Sequence, residues 1–159
     1  MAKFEDHSQA FLQQLRREVV AWAEEVTGLL ESTAVKRSRT DTGQTKGSYR
    51  HKVVDDASSR QVEGYVGSNQ ENAIWEEFGT GEYALGGKGR KTPWYVPVDG
   101  YQGKKRPTYG GKVVVVYGKN KKKYYKTDGK KPNQPLLKAY RAYPRKKMLR
   151  ALEERLRKI

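Results

Sequence analysis

The sequence predicts an α+β domain: a small antiparallel sheet packed by a long N-terminal helix and a kinked C-terminal helix, with an extended basic β-hairpin inserted before the latter. Three observations carry that expectation. Apolar residues recur at three- and four-residue steps near both ends of the chain, the period of an amphipathic helix. Residues 61–67 alternate apolar and polar, the period of a half-buried strand. Residues 81–132 follow neither rule, and eleven of the sixteen glycines lie between Gly79 and Gly129 among many lysines.

The first helix is expected over residues 4–31. Phe4, Phe11, Leu15, Val19, Trp22, Val26, Leu29 and Leu30 form its apolar stripe, and Glu5 and Asp6 sit in a first turn where acids suit the helix dipole. It is expected to end near Ser32-Thr33. A stripe this long needs a packing partner, because amphipathic helices draw most of their stability from tertiary contact. Residues 34–48 read as a polar loop through Lys36-Arg37-Ser38-Arg39 and the Asp41-Thr42-Gly43 turn. Strands follow at about 49–55 and 61–67, joined by Asp55-Asp56-Ala57-Ser58-Ser59. In the second strand Val62, Gly64 and Val66 alternate with Gln61, Glu63 and Tyr65. Glu71 to Phe78 reads as a short helix, with Ser68 or Asn69 as candidate caps.

Inside the excursion lie two apolar pieces, Pro93-Trp94-Tyr95-Val96-Pro97-Val98 and Val113-Val114-Val115-Val116-Tyr117. Gly118-Lys119-Asn120 then connects to Lys122-Lys123-Tyr124-Tyr125-Lys126, the signature of a hairpin. Five strand residues span roughly 17 Å, enough to project beyond the domain body. Residues 133–159 form the closing helix. Pro144 removes a backbone donor there and predicts a kink or break at 141–144. No internal repeat is visible.

Length predicts a single domain over residues 1–159, with 81–132 as its loop-and-hairpin excursion. Only 35% of residues are hydrophobic and 32% are charged, which points to a small core or to a subunit completed by its neighbours. The chain has no cysteine, which excludes disulfides and thiolate chemistry. Residues near the N-terminus lack a continuous apolar run, so neither a signal peptide nor a membrane span is expected there, and an intracellular protein is the expectation. The net charge of +15 is unevenly placed. Residues 1–79 hold 10 basic and 13 acidic side chains, a net of −3. Residues 80–132 hold 14 and 3, a net of +11, and residues 133–159 hold 9 and 2, a net of +7. Asymmetry of this kind points to a polyanion or an acidic partner.

Candidate chemistry is sparse. Glu76-Glu77 suggests a carboxylate pair, but adjacent helical residues diverge by about 100° and do not share a face. A structural role is expected instead: Trp75 and Phe78, three apart, anchor the turn into the core, and one glutamate faces an adjacent subunit or holds a loop amide. His7 and His51 are the only histidines, and no metal-ligand spacing is present, so no metal, no cofactor and no catalytic residue is expected. His51 lies in a predicted strand and reads as a satisfied or exposed strand histidine. Gly86-Gly87-Lys88-Gly89-Arg90-Lys91 lacks the Lys-Ser or Lys-Thr ending of a phosphate loop and reads as a flexible basic loop. Twelve of the fourteen basic residues of the excursion are lysines, the exceptions being Arg90 and Arg106. Lysine is a hydrated point charge without the planar fork that reads bases. The candidate contact residues are Lys104, Lys105, Arg106, Lys119, Lys121, Lys122, Lys123 and Lys126. They predict weak, salt-sensitive, sequence-independent attraction to nucleic acid. Tyr101, Tyr109, Tyr117, Tyr124 and Tyr125 interleave with the lysines, and stacking on bases or cross-strand pairing both account for them. A solvated charged loop and docking onto an acidic ring of another protein are the alternatives.

Asn72-Ala73-Ile74-Trp75-Glu76-Glu77-Phe78-Gly79-Thr80-Gly81 resembles the central signature of the tail-completion, or head–tail joining, proteins of long-tailed bacteriophages. Ala73, Glu77, Phe78, Gly79 and Thr80 match that family's pattern, with Trp75 as the aromatic ahead of the glutamate, whereas Asn72 departs from its usual aromatic. Asp41-Thr42-Gly43-Gln44-Thr45-Lys46-Gly47-Ser48-Tyr49 is similar to the family's Thr-Gly-Asn-Leu-Arg-x-Ser segment, with Thr45 in place of its apolar residue. Gly67-Ser68-Asn69 resembles the preceding turn, and Gln134-Pro135-Leu136-Leu137-Lys138-Ala139 resembles the Pro-Phe-Leu-x-Pro-Ala start of the final helix. The resemblance implies a homo-oligomeric ring, commonly six-fold in that family. The ring would sit at the virion neck between head connector or stopper and tail tube or tail terminator, assemble in the host cytoplasm, and lie near genomic DNA. No membrane partner is implied. The rival expectation is a nucleic-acid-binding protein unconnected with virions.

Overall fold

The computed structural model describes residues 7–40, 43–56, 58–99, 113–119 and 121–159. It is an α+β fold of four helices and two small antiparallel sheets. Helix α1 (Ser8–Arg37) comes first, followed by strands β1 (Tyr49–Asp56) and β2 (Gln61–Ser68) and the short helix α2 (Glu71–Phe78). Strands β3 (Trp94–Pro97), β4 (Val113–Tyr117) and β5 (Lys123–Thr127) lie in the excursion, and α3 (Pro135–Ala142) and α4 (Arg145–Leu156) close the chain. The expected small sheet is the β1–β2 hairpin, and the inserted hairpin gains β3 to form a separate sheet in the order β3-β5-β4.

Helix α1 is the element on which the body is built, since β1, β2, α3 and α4 all pack on it. It runs to Arg37, beyond the expected end at Ser32-Thr33. The Ser32 hydroxyl donates back to the Leu29 carbonyl (2.9 Å), which lets a capping-type residue stay helical. Ala34 is fully buried against the core, and Lys36 and Arg37 suit the negative end of the helix. Phe4, Glu5 and Asp6 lie outside the described residues, as do Asp41, Thr42 and Ala57.

The hairpin register pairs Tyr49 with Ser68, His51 with Val66, Val53 with Gly64 and Asp55 with Val62, which places these residues on the face turned to α1. Gly64 is required there: a Cβ would stand 2.5 Å from Thr27 Cγ2 of the helix. In the turn, the Asp56 carboxylate accepts from the Ser58 N–H (2.9 Å) and hydroxyl (2.7 Å) and from the Ser59 hydroxyl (2.6 Å). Those bonds, the Ser59 hydroxyl first, hold its pKa far below the usual carboxylate value.

The core is as thin as the composition implies. Ala34, Tyr49, Ala73 and Ala139 form it, with Leu30, Val35 and Leu136 packed around them. Helix α4 is fastened to α1 by the Trp22 indole N–H, which donates to the Met148 carbonyl (2.8 Å), and by an ion pair between Arg155 and Glu25. The closing helix breaks where expected. Tyr143, ahead of Pro144, is extended, and a new helix starts at Arg145.

Candidate functional site

The corner from Ile74 to Gly81 is built with its polarity reversed. Glu76 is buried at 2% exposure, whereas Ile74 (58%), Trp75 (46%) and Phe78 (55%) are open to solvent. The expectation that Trp75 and Phe78 anchor this turn into the core is therefore corrected. The buried face of α2 carries Ala73 and Glu76, and the bulky residues at 74, 75 and 78 fall on the opposite side.

Each glutamate has a distinct structural task. Glu76 Oε1 accepts from the Arg39 backbone N–H (3.0 Å) and from Asn133 Nδ2 (2.8 Å), and Oε2 pairs with Lys130 Nζ (2.7 Å). Burial pushes the Glu76 carboxyl pKa up, but the Lys130 ammonium, the Arg39 amide and Asn133 outweigh it and hold it below the ordinary value. Asn133 Nδ2 also donates to the Arg37 carbonyl (2.7 Å), so one knot joins the end of α1, α2 and the segment before α3. Glu77 reaches across to a different helix. Its two oxygens accept from the Leu136 N–H (2.9 Å) and the Leu137 N–H (3.0 Å), capping α3, whose own cap residue Gln134 makes no side-chain bond. A carboxylate at that end also suits the helix dipole. The expectation that one glutamate holds a loop amide is met by Glu76. Neither Ser68 nor Asn69 caps α2: Gln70 occupies the cap position without a side-chain bond, and the Ser68 hydroxyl accepts from the Gln70 N–H (3.1 Å).

Gly79-Thr80-Gly81 then forms a clasp with Asp128-Gly129-Lys130, at the two ends of the excursion. The Thr80 N–H donates to the Lys130 carbonyl (2.9 Å), the Glu82 N–H to the Asp128 carbonyl (2.9 Å), and the Lys130 N–H to the Thr80 hydroxyl (3.0 Å). The backbones approach so closely that a Cβ on Gly81 would fall on the Asp128 carbonyl oxygen and one on Gly129 on the Thr80 carbonyl oxygen. Gly79 and Gly81 also take φ of 73° and 61°, where side chains are strained. The sequence signature is thus the lock of the excursion. Lys130, Asn133 and Gly129, the partners that complete it, were not singled out from the sequence. The signal for Gly129 and Lys130 is the short Thr127-Asp128-Gly129-Lys130 turn ahead of α3, and Asn133 has none.

The sheet beyond the clasp exposes apolar residues on both faces. Strand pairing puts Val96, Tyr125 and Val115 in one row of one face, with Tyr117 and Lys123 beside them, and puts Tyr95, Lys126 and Val114 in a row of the other. Tyr95, Val115 and Tyr117 are all exposed. The expected hairpin of 113–126 is present, but β5 is the middle strand, because β3 pairs with its other edge. Lys119, Lys121, Lys122 and Lys123 cluster at the tip, and Lys126 lies on the opposite face from Lys123. Cations sit over rings at Arg90–Trp94 (5.9 Å), Lys123–Tyr117 (6.0 Å) and Lys131–Tyr83 (5.4 Å). Lys104, Lys105, Arg106, Tyr101 and Tyr109 lie outside the described residues, as does Asn120 of the connection.

Two other features fit structural roles. His51 lies between two acids of α1, with Nδ1 2.5 Å from Glu31 and Nε2 3.2 Å from Glu24, and Glu31 foremost raises its pKa. An open cleft of about 690 Å³ lies beside Ser48, Arg50, Lys52 and Ser68. Several of its polar groups are already engaged: Arg50 donates to the Gly47 and Tyr49 carbonyls, and the Ser48 and Ser68 hydroxyls bond each other (2.6 Å). Among the described residues no group of three or more His, Asp or Glu side chains is placed to hold a metal, and no helix is long and apolar enough to cross a membrane. No protein-family model, curated protein or solved structure matches the chain.

Proposed function

We propose that this chain is a structural subunit of a homo-oligomeric ring at the neck of a long-tailed phage. In this role it completes the tail and joins it to the DNA-filled head without making or breaking bonds. The observation that carries the proposal is the reversed polarity of α2. A helix that buries Glu76 and exposes Ile74, Trp75 and Phe78 is finished only when a neighbour covers it. Half-exposed Trp75 and Phe78 present roughly 75–125 Å² each, and with Ile74 and Leu85 the patch reaches about 350 Å². A patch of that size is as large as the largest on an ordinary monomer and is often functional. The order of the four sequence segments that resemble the tail-completion family supplies the virion context.

The lysine-rich sheet serves the same reading. Point charges that contact phosphates without reading bases suit a polymer that must slide through a bore. The test is electron microscopy and light scattering of the purified protein together with protein analysis of intact tails. Rings, and the protein's presence in tails, are expected. A monomer at high concentration and tails lacking the protein overturn the proposal. The cation-over-ring pairs favour one second reading, a sequence-independent nucleic-acid-binding protein outside any virion. That reading expects tight binding by the isolated monomer with a steep salt slope, whereas the ring subunit binds weakly until assembled.

A further inference from the structure

We infer that the outer face of α2 docks on the β3-β5-β4 sheet of a second copy, so that neighbours join head to tail. The inference rests on the ring reading and names the contact that builds it. Each chain carries two apolar surfaces with exposed residues that its own fold keeps apart. One is Ile74, Trp75 and Phe78 of α2, extended by Leu85, whose N–H donates to the Phe78 carbonyl (2.9 Å). The other is the sheet face where exposed Val115 and Tyr117 stand beside half-buried Val96 and Tyr125. The clasp at Gly79–Gly81 and Gly129–Lys130 fixes the root of the sheet beside the end of α2, yet leaves all four residues of the first surface about half exposed.

Size and charge identify the occupant. An eight-residue helix is about 12 Å long, and three strands are about 10 Å across, so α2 lies across the sheet with little overhang. The apolar patch of α2 covers under half of the ~800 Å² per partner of a standard interface, so the polar residues around it complete the contact. The apolar patch of α2 is flanked in sequence by exposed Glu71 and Glu82. The sheet tip carries exposed Lys119, Lys121 and Lys123. Residues 80–132 carry a net of +11 and residues 1–79 a net of −3. Two lysine-bearing excursions repel, whereas α2 with Glu71 and Glu82 meets the sheet tip with opposite charge. A head-to-tail contact leaves one unused face at each end of any open oligomer, and closure into a ring satisfies both.

The chain has no cysteine, so crosslinking has no background from native thiols. Ile74→Cys and Val115→Cys, each exposed, are made separately in the full chain and oxidised alone and as an equal mixture. The inference expects a disulfide-linked dimer in the mixture and none from either variant alone. The double variant I74C/V115C should give a ladder that stops at the ring's copy number. Dimer from Ile74→Cys alone, or no dimer from the mixture, overturns the contact. Light scattering on the same samples separates the two levels. Intact oligomers with the wrong crosslink overturn the docking and leave the ring, whereas monomers overturn both.

Discussion

The β1–β2 hairpin and α2 lean on the same thin core and treat polarity in opposite ways. The hairpin turns Tyr49, Val53, Val62 and Val66 towards α1 and leaves Arg50, Lys52 and Glu63 on its outer face. Helix α2 turns Glu76 inward and leaves Ile74, Trp75 and Phe78 outside. The hairpin is therefore completed within the chain. In α2, the work of cohesion passes to a buried ion pair and a set of backbone bonds, which frees the apolar face for a partner. A buried charge is tolerated because both its oxygens meet donors, one of them the Lys130 ammonium.

Removing that charge should have the largest effect. Glu76→Ala removes the carboxylate that Lys130, Asn133 and the Arg39 amide share and should cost about 3–5 kcal/mol in chemical denaturation. Acid should act in the same direction. The folded pKa of Glu76 lies below its ordinary value, so its contribution is complete above that value and fades as pH falls through the folded pKa. A difference between the wild type and Glu76→Gln that persists unchanged into acid would count against the knot. Gly81→Ala comes next. It meets both the Asp128 carbonyl and a left-handed φ, and should cost roughly 3 kcal/mol. Hydrogen exchange should show the loss first at the Glu82 and Thr80 amides.

How far this was readable from sequence follows the same division. Period-two alternation in 61–67 and the turn before it placed the hairpin within a residue at each end, because one face of it is buried by α1 and the other is not. Pro144 marked the break between α3 and α4 through its missing donor. The start of the excursion was legible from glycine density. Which task falls to Glu76 and which to Glu77 was not. Their partners lie 37 to 60 residues away, and no periodicity connects Glu77 to the amides of Leu136 and Leu137. Trp75 and Phe78 misled for a related reason: an aromatic pair at helical spacing reads as core unless its neighbours are known to be charged and buried.

Smaller effects sharpen the comparison. Glu77→Ala should cost about 1 kcal/mol, the loss of a helix cap, and should fray α3 in hydrogen exchange without disturbing β1–β2. Smallest is the His51 bridge between β1 and α1. Its pKa is raised, chiefly by Glu31, so its contribution is complete below the ordinary value near 6.5 and is lost as pH rises through the folded pKa. Thermal melts taken across that window should converge for the wild type and His51→Gln at the alkaline end. Melts that remain parallel would show that the bridge adds nothing.

The central claim is that α2 holds the fold with its acids and meets a neighbour with its apolar face. The most direct measurement is the solution mass of the wild type and of Trp75→Asp/Phe78→Asp, alongside their thermal unfolding. The account predicts an assembled wild type and a monomeric variant whose melting temperature, compared under dissociating conditions, stays within a few degrees of the wild type. A wild type that is already monomeric, or a variant that assembles as before, would contradict it.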